Sequence, residues 1–195
     1  ANFGIYDGQP GPLERFDPAT GQRETLLTEV EGKTLTSSNY PAIDRAGNIW
    51  CANSTHAPTW PDALDGRPDG FLFVLRPDGS SQIVAQGLRF PNGLALSADE
   101  EFLYCAQTSA GDVLRFPILP GAQLGMGERY GPKLGLVARR KLNPNIHLPG
   151  FIQSRLGYTD GVGMDVEGNL WVCLPAANKV VAITPQGRKL TVIHD

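Results

Sequence analysis

The stretch GYTDGVGMDVEGNLWVCLP, residues 157–175, repeats a pattern that occurs twice earlier in the chain. Residues 37–53 are SSNYPAIDRAGNIWCAN, and residues 90–107 are FPNGLALSADEEFLYCAQ. Each copy contains a leading Asn or Asp, a short apolar run, a turn and an aromatic residue. The leading residue and the aromatic residue are 11, 12 and 11 positions apart in the three copies. This regular spacing indicates an internal structural repeat.

The segments between the copies have the pattern of β-hairpins. Residues 70–88 and 178–193 are each predicted to be two strands around a tight turn, and residues 11–27 are an earlier version of the same design. No long helical period occurs. Each unit is therefore expected to have four antiparallel strands, which predicts an all-β chain folded as a β-propeller with four-stranded blades. An open β-sandwich is the alternative, although a sandwich does not require internal self-similarity.

The number of repeats predicts an open ring. The chain starts in the later strands of one unit and contains three more, about three and a half blades, whereas propellers typically have 4–8. We expect residues 1–195 to be a single propeller domain that is incomplete at both ends. The repeats are longer than a compact blade, and the extra residues, 56–68 and 119–157, are predicted to be insertions. Whether the second insertion covers a pocket or lies on the rim stays open.

Composition excludes several classes of protein. The net charge of −3 predicts no surface for nucleic acid or for an anionic membrane, and no apolar run approaches the ~20 residues of a membrane helix. The pattern does not predict an oligomeric state. We expect a cytoplasmic location, with a secreted or periplasmic one as the alternative. Cys51, Cys105 and Cys173 lack metal-site spacing and are predicted to be small core residues between blades.

The leading residues of the repeat are the candidate functional site. The innermost strand of every blade begins at one mouth of the central channel, so Asn39, Asn92 and Asp160 are predicted to converge there. Two amides and a carboxylate provide hard oxygen ligands, which suit calcium, magnesium or manganese. The alternative is that Asn92-Gly93 and Asp160-Gly161 are only hairpin turns, because turns favour these dipeptides.

Two further amides follow the aromatic strand at equivalent places in their repeats. Asn53 and Gln107 are predicted to line the same mouth and to contact a substrate. The alternative for both is the ordinary polarity of a loop.

Two stretches, FPNGLALSADEEFLYCAQTSAGDVLRF (90–116) and TDGVGMDVEGNLWVCLPAANKVVAITPQGR (159–188), resemble the gluconolactonase/regucalcin (senescence marker protein) family. The resemblance implies a six-bladed propeller that hydrolyses a small-molecule lactone, either a sugar lactone or a related cyclic ester. It also implies calcium or another divalent cation (Mg²⁺, Mn²⁺ or Zn²⁺) as cofactor. A non-catalytic binding propeller and a strictosidine-synthase-like enzyme are the alternatives.

The resemblance assigns roles to the leading residues. Asn92 matches a metal-binding Asn, and Asp160 matches a metal-binding Asp that is also proposed as the catalytic base. Asn39 matches an Asn that helps to hold metal or substrate. No residue here fits the family's further Glu ligand, because Glu31 is expected in an outer loop. Ser37 stands where some members have Arg, which leaves the preferred type of sugar open.

Overall fold

The computed structural model describes residues 4, 9–138 and 147–194 of the chain. This part is nearly all-β, and its strand pairs within the sheets are antiparallel, as the repeat predicted. Two four-residue helices lie outside the sheets, α1 (Trp60–Ala63) and α2 (Gly150–Gln153). Within the described residues, no helix is long and apolar enough to cross a bilayer.

The strands before the first complete blade form two small antiparallel pairs. The predicted early hairpin is present and consists of β1 (Leu13–Phe16) and β2 (Arg23–Leu27). The second pair consists of β3 (Glu29–Val30) and β4 (Lys33–Thr34).

Three complete blades follow, and in each the strands lie side by side in chain order from a leading strand outward. The first consists of β5 (Ser38–Ile43), β6 (Ile49–Asn53), β7 (Gly70–Leu75) and β8 (Ser81–Leu88). The second consists of β9 (Pro91–Leu96), β10 (Phe102–Gln107) and β11 (Asp112–Leu119), with β12 (Gln123–Leu124) and β13 (Glu128–Tyr130) both paired to β11. The third consists of β14 (Val162–Met164), β15 (Leu170–Leu174), β16 (Lys179–Ile183) and β17 (Lys189–His194). The prediction of four-stranded propeller blades is therefore confirmed.

The predicted start of the insertion 119–157 is wrong. The fourth strand of the second blade, β13, lies within it. Its glycines do not mark a free loop: a Cβ on Gly127 would lie 2.3 Å from Cε1 of Phe116, so close packing against that ring requires glycine there. The insertion therefore begins after Tyr130, and residues 139–146 of it lie outside the described residues.

Successive residues of each second strand face opposite neighbours, because side chains alternate between the two faces of a strand. In β6, Trp50 packs toward the second blade and Cys51 toward the early hairpin. In β10, Tyr104 packs toward the third blade and Cys105 toward the first. Burial raises the pKa of Cys51 to about 12 and also raises the pKa of Cys105, so both are protonated core thiols as predicted.

The prediction of a core position for Cys173 is wrong, because its side chain is exposed. Cys173 lies two positions after the half-buried Trp171 and so faces the same side of β15, where no further blade covers it in the described part of the chain. Val172 takes the place that Cys51 and Cys105 have in their blades, and it is buried against the second blade.

The turn after the leading strand has the same hydrogen bonds in the first and third blades. Oδ2 of Asp44 accepts from Nε1 of Trp50 at 3.0 Å, and Oδ2 of Asp165 accepts from Nε1 of Trp171 at 2.8 Å. Asn169 donates its backbone N–H to Oδ1 and its amide N–H to Oδ2 of the same Asp165 carboxylate. The Trp171 bond first, and then the Asn169 bonds, lower the pKa of Asp165 to about 2.

This depressed pKa predicts an acid-dependent contribution of Asp165 to stability. A carboxyl with a pKa near 2 when folded and 3.8 in its reference state stabilises the fold above pH 3.8 and loses that effect as the pH falls towards 2. We expect Asp165→Asn to have a lower melting temperature than the wild type at pH 7. Thermal unfolding followed by Trp fluorescence should show this gap closing between pH 4 and pH 2. A gap that is the same at both ends of this range would contradict the assignment.

Candidate functional site

The glycines that follow the second and third leading residues are not turn residues. Gly93 lies inside β9 and Gly161 directly precedes β14, and neither has a positive φ, which the Gly of an Asn-Gly or Asp-Gly hairpin turn requires. A Cβ on Gly93 would lie 2.5 Å from the carbonyl oxygen of Asp160 and 2.7 Å from the backbone nitrogen of Val162. Glycine is needed there because two leading strands approach each other closely.

The leading strand of the second blade, β9, contacts the leading strands of both other blades. The backbone N–H of Gly93 donates to the carbonyl oxygen of Asp160 at 3.1 Å, which joins β9 to β14. Tyr40, with a φ of 50°, directs its hydroxyl from β5 to the carbonyl oxygen of Val162 at 3.2 Å. The start of the first leading strand is therefore bonded directly to the third.

The structure brings Asn39 and Asn92 into direct contact. Nδ2 of Asn39 donates to Oδ1 of Asn92 at 2.9 Å and lies 3.3 Å from Oγ of Ser54. Asn92 is buried and donates its own Nδ2 to Oγ1 of Thr108 at 3.1 Å. Asp160 is exposed, and its carboxylate has no hydrogen-bond partner among the described residues. The amide nitrogens of Asn39 and Asn92 are thus engaged within the protein.

Asn53 and Gln107 are both buried and are hydrogen-bonded within their own blades. Oδ1 of the fully buried Asn53 accepts from the backbone N–H groups of Thr36 and Ser37 at 2.9 and 3.0 Å. Oε1 of Gln107 accepts from the backbone N–H of Arg89 at 2.9 Å. Both amides therefore hold the loop that leads into their own blade's first strand.

No amide hydrogen of Asn53 is left for a substrate, because Nδ2 donates to Oγ1 of Thr36 and to the carbonyl oxygen of Thr55, each at 3.4 Å. Gln107 donates Nε2 to Oδ1 of Asp112 at 3.0 Å. This geometry gives the two residues a role in positioning the leading strands, and their contact with a substrate stays a prediction.

The two insertions pack together beside the leading residues. Phe90 and Tyr158 each precede a leading residue by two positions, and both are buried in one apolar cluster. The first insertion contributes Ala57, Ala63 and Leu64 to this cluster. The hydroxyl of Tyr158 accepts from the backbone N–H of Ala138 at 2.9 Å, which ties the second insertion to the same rim.

The side-chain atoms that could coordinate a metal ion here are amide and carboxylate oxygens. In the described part of the chain, no group of three or more His, Cys, Asp or Glu side chains could hold a metal ion. The set of three leading residues instead contains two amides and one carboxylate. Glu31 does not add to it, because its Oε1 accepts from the backbone N–H of Ile83 at 3.3 Å in the outer strand β8.

Comparison with protein families matches residues 6–194 to the SMP-30/gluconolactonase/LRE-like region. The chain is 28% identical over 199 residues to the gluconolactonase of Zymomonas mobilis, an alignment that covers 97% of this chain and 50% of that protein. It is 29% identical over 198 residues to the protein strictosidine synthase-like 13 of Arabidopsis thaliana, covering 97% and 43%.

Among solved structures, the chain is similar in fold to the calcium-binding protein regucalcin of Agrobacterium tumefaciens. The TM-score is 0.65 at 18% identity, and the match covers 98% of this chain and 57% of that one. The chain therefore spans about half the length of these relatives.

Proposed function

We propose, from the premise that this chain belongs to the SMP-30/gluconolactonase/LRE-like family, that its protein hydrolyses small lactones at the mouth of the propeller. The observation that carries the proposal is the direct contact between the Asn39 and Asn92 side chains, with the backbone of Asp160 bonded to Gly93 beside them. The gluconolactonase relative supports a sugar lactone or a related cyclic ester as substrate.

The donors fit a hard divalent cation, and calcium is the first candidate. Oδ1 of Asn92 accepts one hydrogen bond, from Asn39, and retains a second lone pair. Both of these side-chain hydrogen bonds of Asn39 run from its Nδ2, which leaves its Oδ1 available. These oxygens and the Asp160 carboxylate would hold the ion. The calcium-binding regucalcin neighbour supports this choice of ion.

Hydrolysis needs a water, a base and a polarised carbonyl. The cation, when bound, would polarise the lactone carbonyl and lower the pKa of a water. Asp160 has two carboxylate oxygens, so one can face the ion while the other accepts the proton of the attacking water. The water oxygen bonds to the carbonyl carbon, the ring C–O bond breaks, and the released oxygen takes up a proton to become a hydroxyl. Asn39 would orient the lactone.

The test is lactone hydrolysis by the purified chain with and without metal. Glucono-1,5-lactone and a pentonolactone would be supplied, and acid release would be followed in a pH-stat. We expect EDTA to lower the rate at least about 100-fold, since metal assistance contributes several kcal/mol to such steps. Added calcium should restore the rate.

An active enzyme that EDTA does not affect would contradict the metal-dependent mechanism. Such a result would mean that the chain hydrolyses the lactone without a bound cation. Absence of hydrolysis at any metal concentration would favour a binding propeller.

A further inference from the structure

Two buried hydroxyl groups occupy the same slot of the repeat. Ser54 follows Asn53 at the end of β6, and Thr108 follows Gln107 at the end of β10. Each hydroxyl contacts the leading amide of its own blade: Nδ2 of Asn39 lies 3.3 Å from Oγ of Ser54, and Nδ2 of Asn92 lies 3.1 Å from Oγ1 of Thr108.

Each hydroxyl also reaches the next blade at an equivalent point. Oγ of Ser54 donates to the carbonyl oxygen of Pro91 at 2.8 Å, and Oγ1 of Thr108 donates to the carbonyl oxygen of Thr159 at 2.7 Å. Both carbonyls belong to the residue directly before the next leading residue. The pair therefore joins each leading side chain to the backbone that carries the following one.

These bonds determine which atom of each amide faces its hydroxyl partner. A backbone carbonyl can only accept, so each hydroxyl spends its single hydrogen on it. The hydroxyl oxygen must then accept from the leading amide, so it is the NH₂ group of Asn92 that contacts Thr108. The remaining polar atom of the Asn92 side chain, Oδ1, accepts from Nδ2 of Asn39. Since Ser54 also contacts Nδ2 of Asn39, it makes no bond to Oδ1 of that residue.

The third blade shows the complementary case. The slot equivalent to Ser54 and Thr108 holds Pro175, which has no hydroxyl. Its leading residue is Asp160, whose two carboxylate oxygens are both acceptors. Only an amide, which has one oxygen and one nitrogen, needs a group that sets its orientation.

We infer that Ser54 and Thr108 are positioning residues: Thr108 holds the amide nitrogen of Asn92, so that Oδ1 of Asn92 is presented to a cation. Ser54 holds the amide nitrogen of Asn39, which also donates to that oxygen. The inference rests on the proposed function for the cation itself. The orientation rests on the hydrogen bonds alone.

The test compares Thr108→Val with Thr108→Ser by calorimetric titration with calcium chloride. Valine has the shape of threonine but cannot relay the bond, and loss of such an outer partner typically weakens metal binding 10–100-fold. We expect a loss of about that size for Thr108→Val and rescue to within about threefold by Thr108→Ser. Equal affinity of the valine variant and the wild type would overturn the inference.

Ser109→Ala is the matched control, because Ser109 is the next residue, is fully buried, and its Oγ has no partner among the described residues. Calcium affinity should be unchanged in this variant. A loss in Ser109→Ala equal to that in Thr108→Val would show a general effect of core polarity and overturn the inference.

A second readout separates this inference from the proposed function. In ¹⁵N spectra without metal, the side-chain NH₂ of Asn92 should be protected from exchange in the wild type and in Thr108→Ser, and unprotected in Thr108→Val. If the wild type does not bind calcium but shows this pattern, the proposed function fails and the orientation stands. Identical exchange in all three proteins would overturn the orientation.

Discussion

Gly93→Ala is expected to destabilise the fold by about 3 kcal/mol, at the upper end of the cost of overpacking. A Cβ at this position would lie 2.5 Å from the carbonyl oxygen of Asp160 and 2.7 Å from the backbone nitrogen of Val162. Both obstacles are backbone atoms, so no side chain can rotate to relieve the contact. The β9 and β14 strands would have to separate, which would also break the bond from the Gly93 N–H to the Asp160 carbonyl.

Gly163→Ala is the control for this prediction. Gly163 lies in β14, is exposed, has no positive φ, and a Cβ there would meet nothing within 4 Å. Thermal unfolding should show a decrease of about 6–12 °C in the melting temperature of Gly93→Ala, since 1 kcal/mol corresponds to about 2–4 °C for a chain of this size. The control should unfold close to the wild type. Equal melting temperatures for Gly93→Ala and the wild type would refute the close approach of the two strands.

The repeat made the blades predictable, because the turn and the aromatic residue after it recur at the same spacing in each copy. The turn Asp44–Trp50 and its copy Asp165–Trp171 have the same carboxylate-to-indole bond, so the similarity of their sequences reflects the same local structure. Strand β13 was not predictable in this way. It has three residues, and Gly127 next to it is required by the Phe116 ring rather than by a turn.

The face of β15 on which Cys173 lies depends on its position relative to the aromatic residue of the repeat, and not on its being a cysteine. Cys173 was predicted to be buried because cysteine is usually a core residue, but it lies one position later than Cys51 and Cys105 relative to the aromatic. A shift of one residue moves a side chain to the other face of a strand. The aligned repeat contained this information, and the position of Val172 confirms it.

The candidate site was predictable as a set of positions but not as a network. Asn39 and Asn92 were identified from their shared slot, and they are in contact. Ser54 and Thr108 also share a slot, one position after the amides that were singled out. That signal was available in the sequence. The partners of those hydroxyls were not, because the carbonyls of Pro91 and Thr159 come into reach only when neighbouring blades are packed.

Asp160→Asn is expected to weaken calcium binding about a thousandfold and to abolish metal-dependent lactone hydrolysis. Asp160 is the charged residue among the three leading residues proposed to hold the ion. Removing one unit charge about 4 Å from another at an effective dielectric constant near 20 costs about 4 kcal/mol. The variant would also lose the base, because an amide cannot take up the proton of the attacking water.

The structure makes this substitution a clean test. The Asp160 side chain is exposed and its carboxylate has no hydrogen-bond partner in the described part of the chain, so the melting temperature without metal should change little. Glu167→Gln is the matched control: it removes the same charge from the same blade, at an exposed position in the turn at the far end of β14. Calcium titration and the pH-stat assay should separate the two variants. If both lose binding equally, net charge rather than the site governs calcium affinity. If Asp160→Asn keeps both binding and hydrolysis, the reaction takes place elsewhere on the propeller.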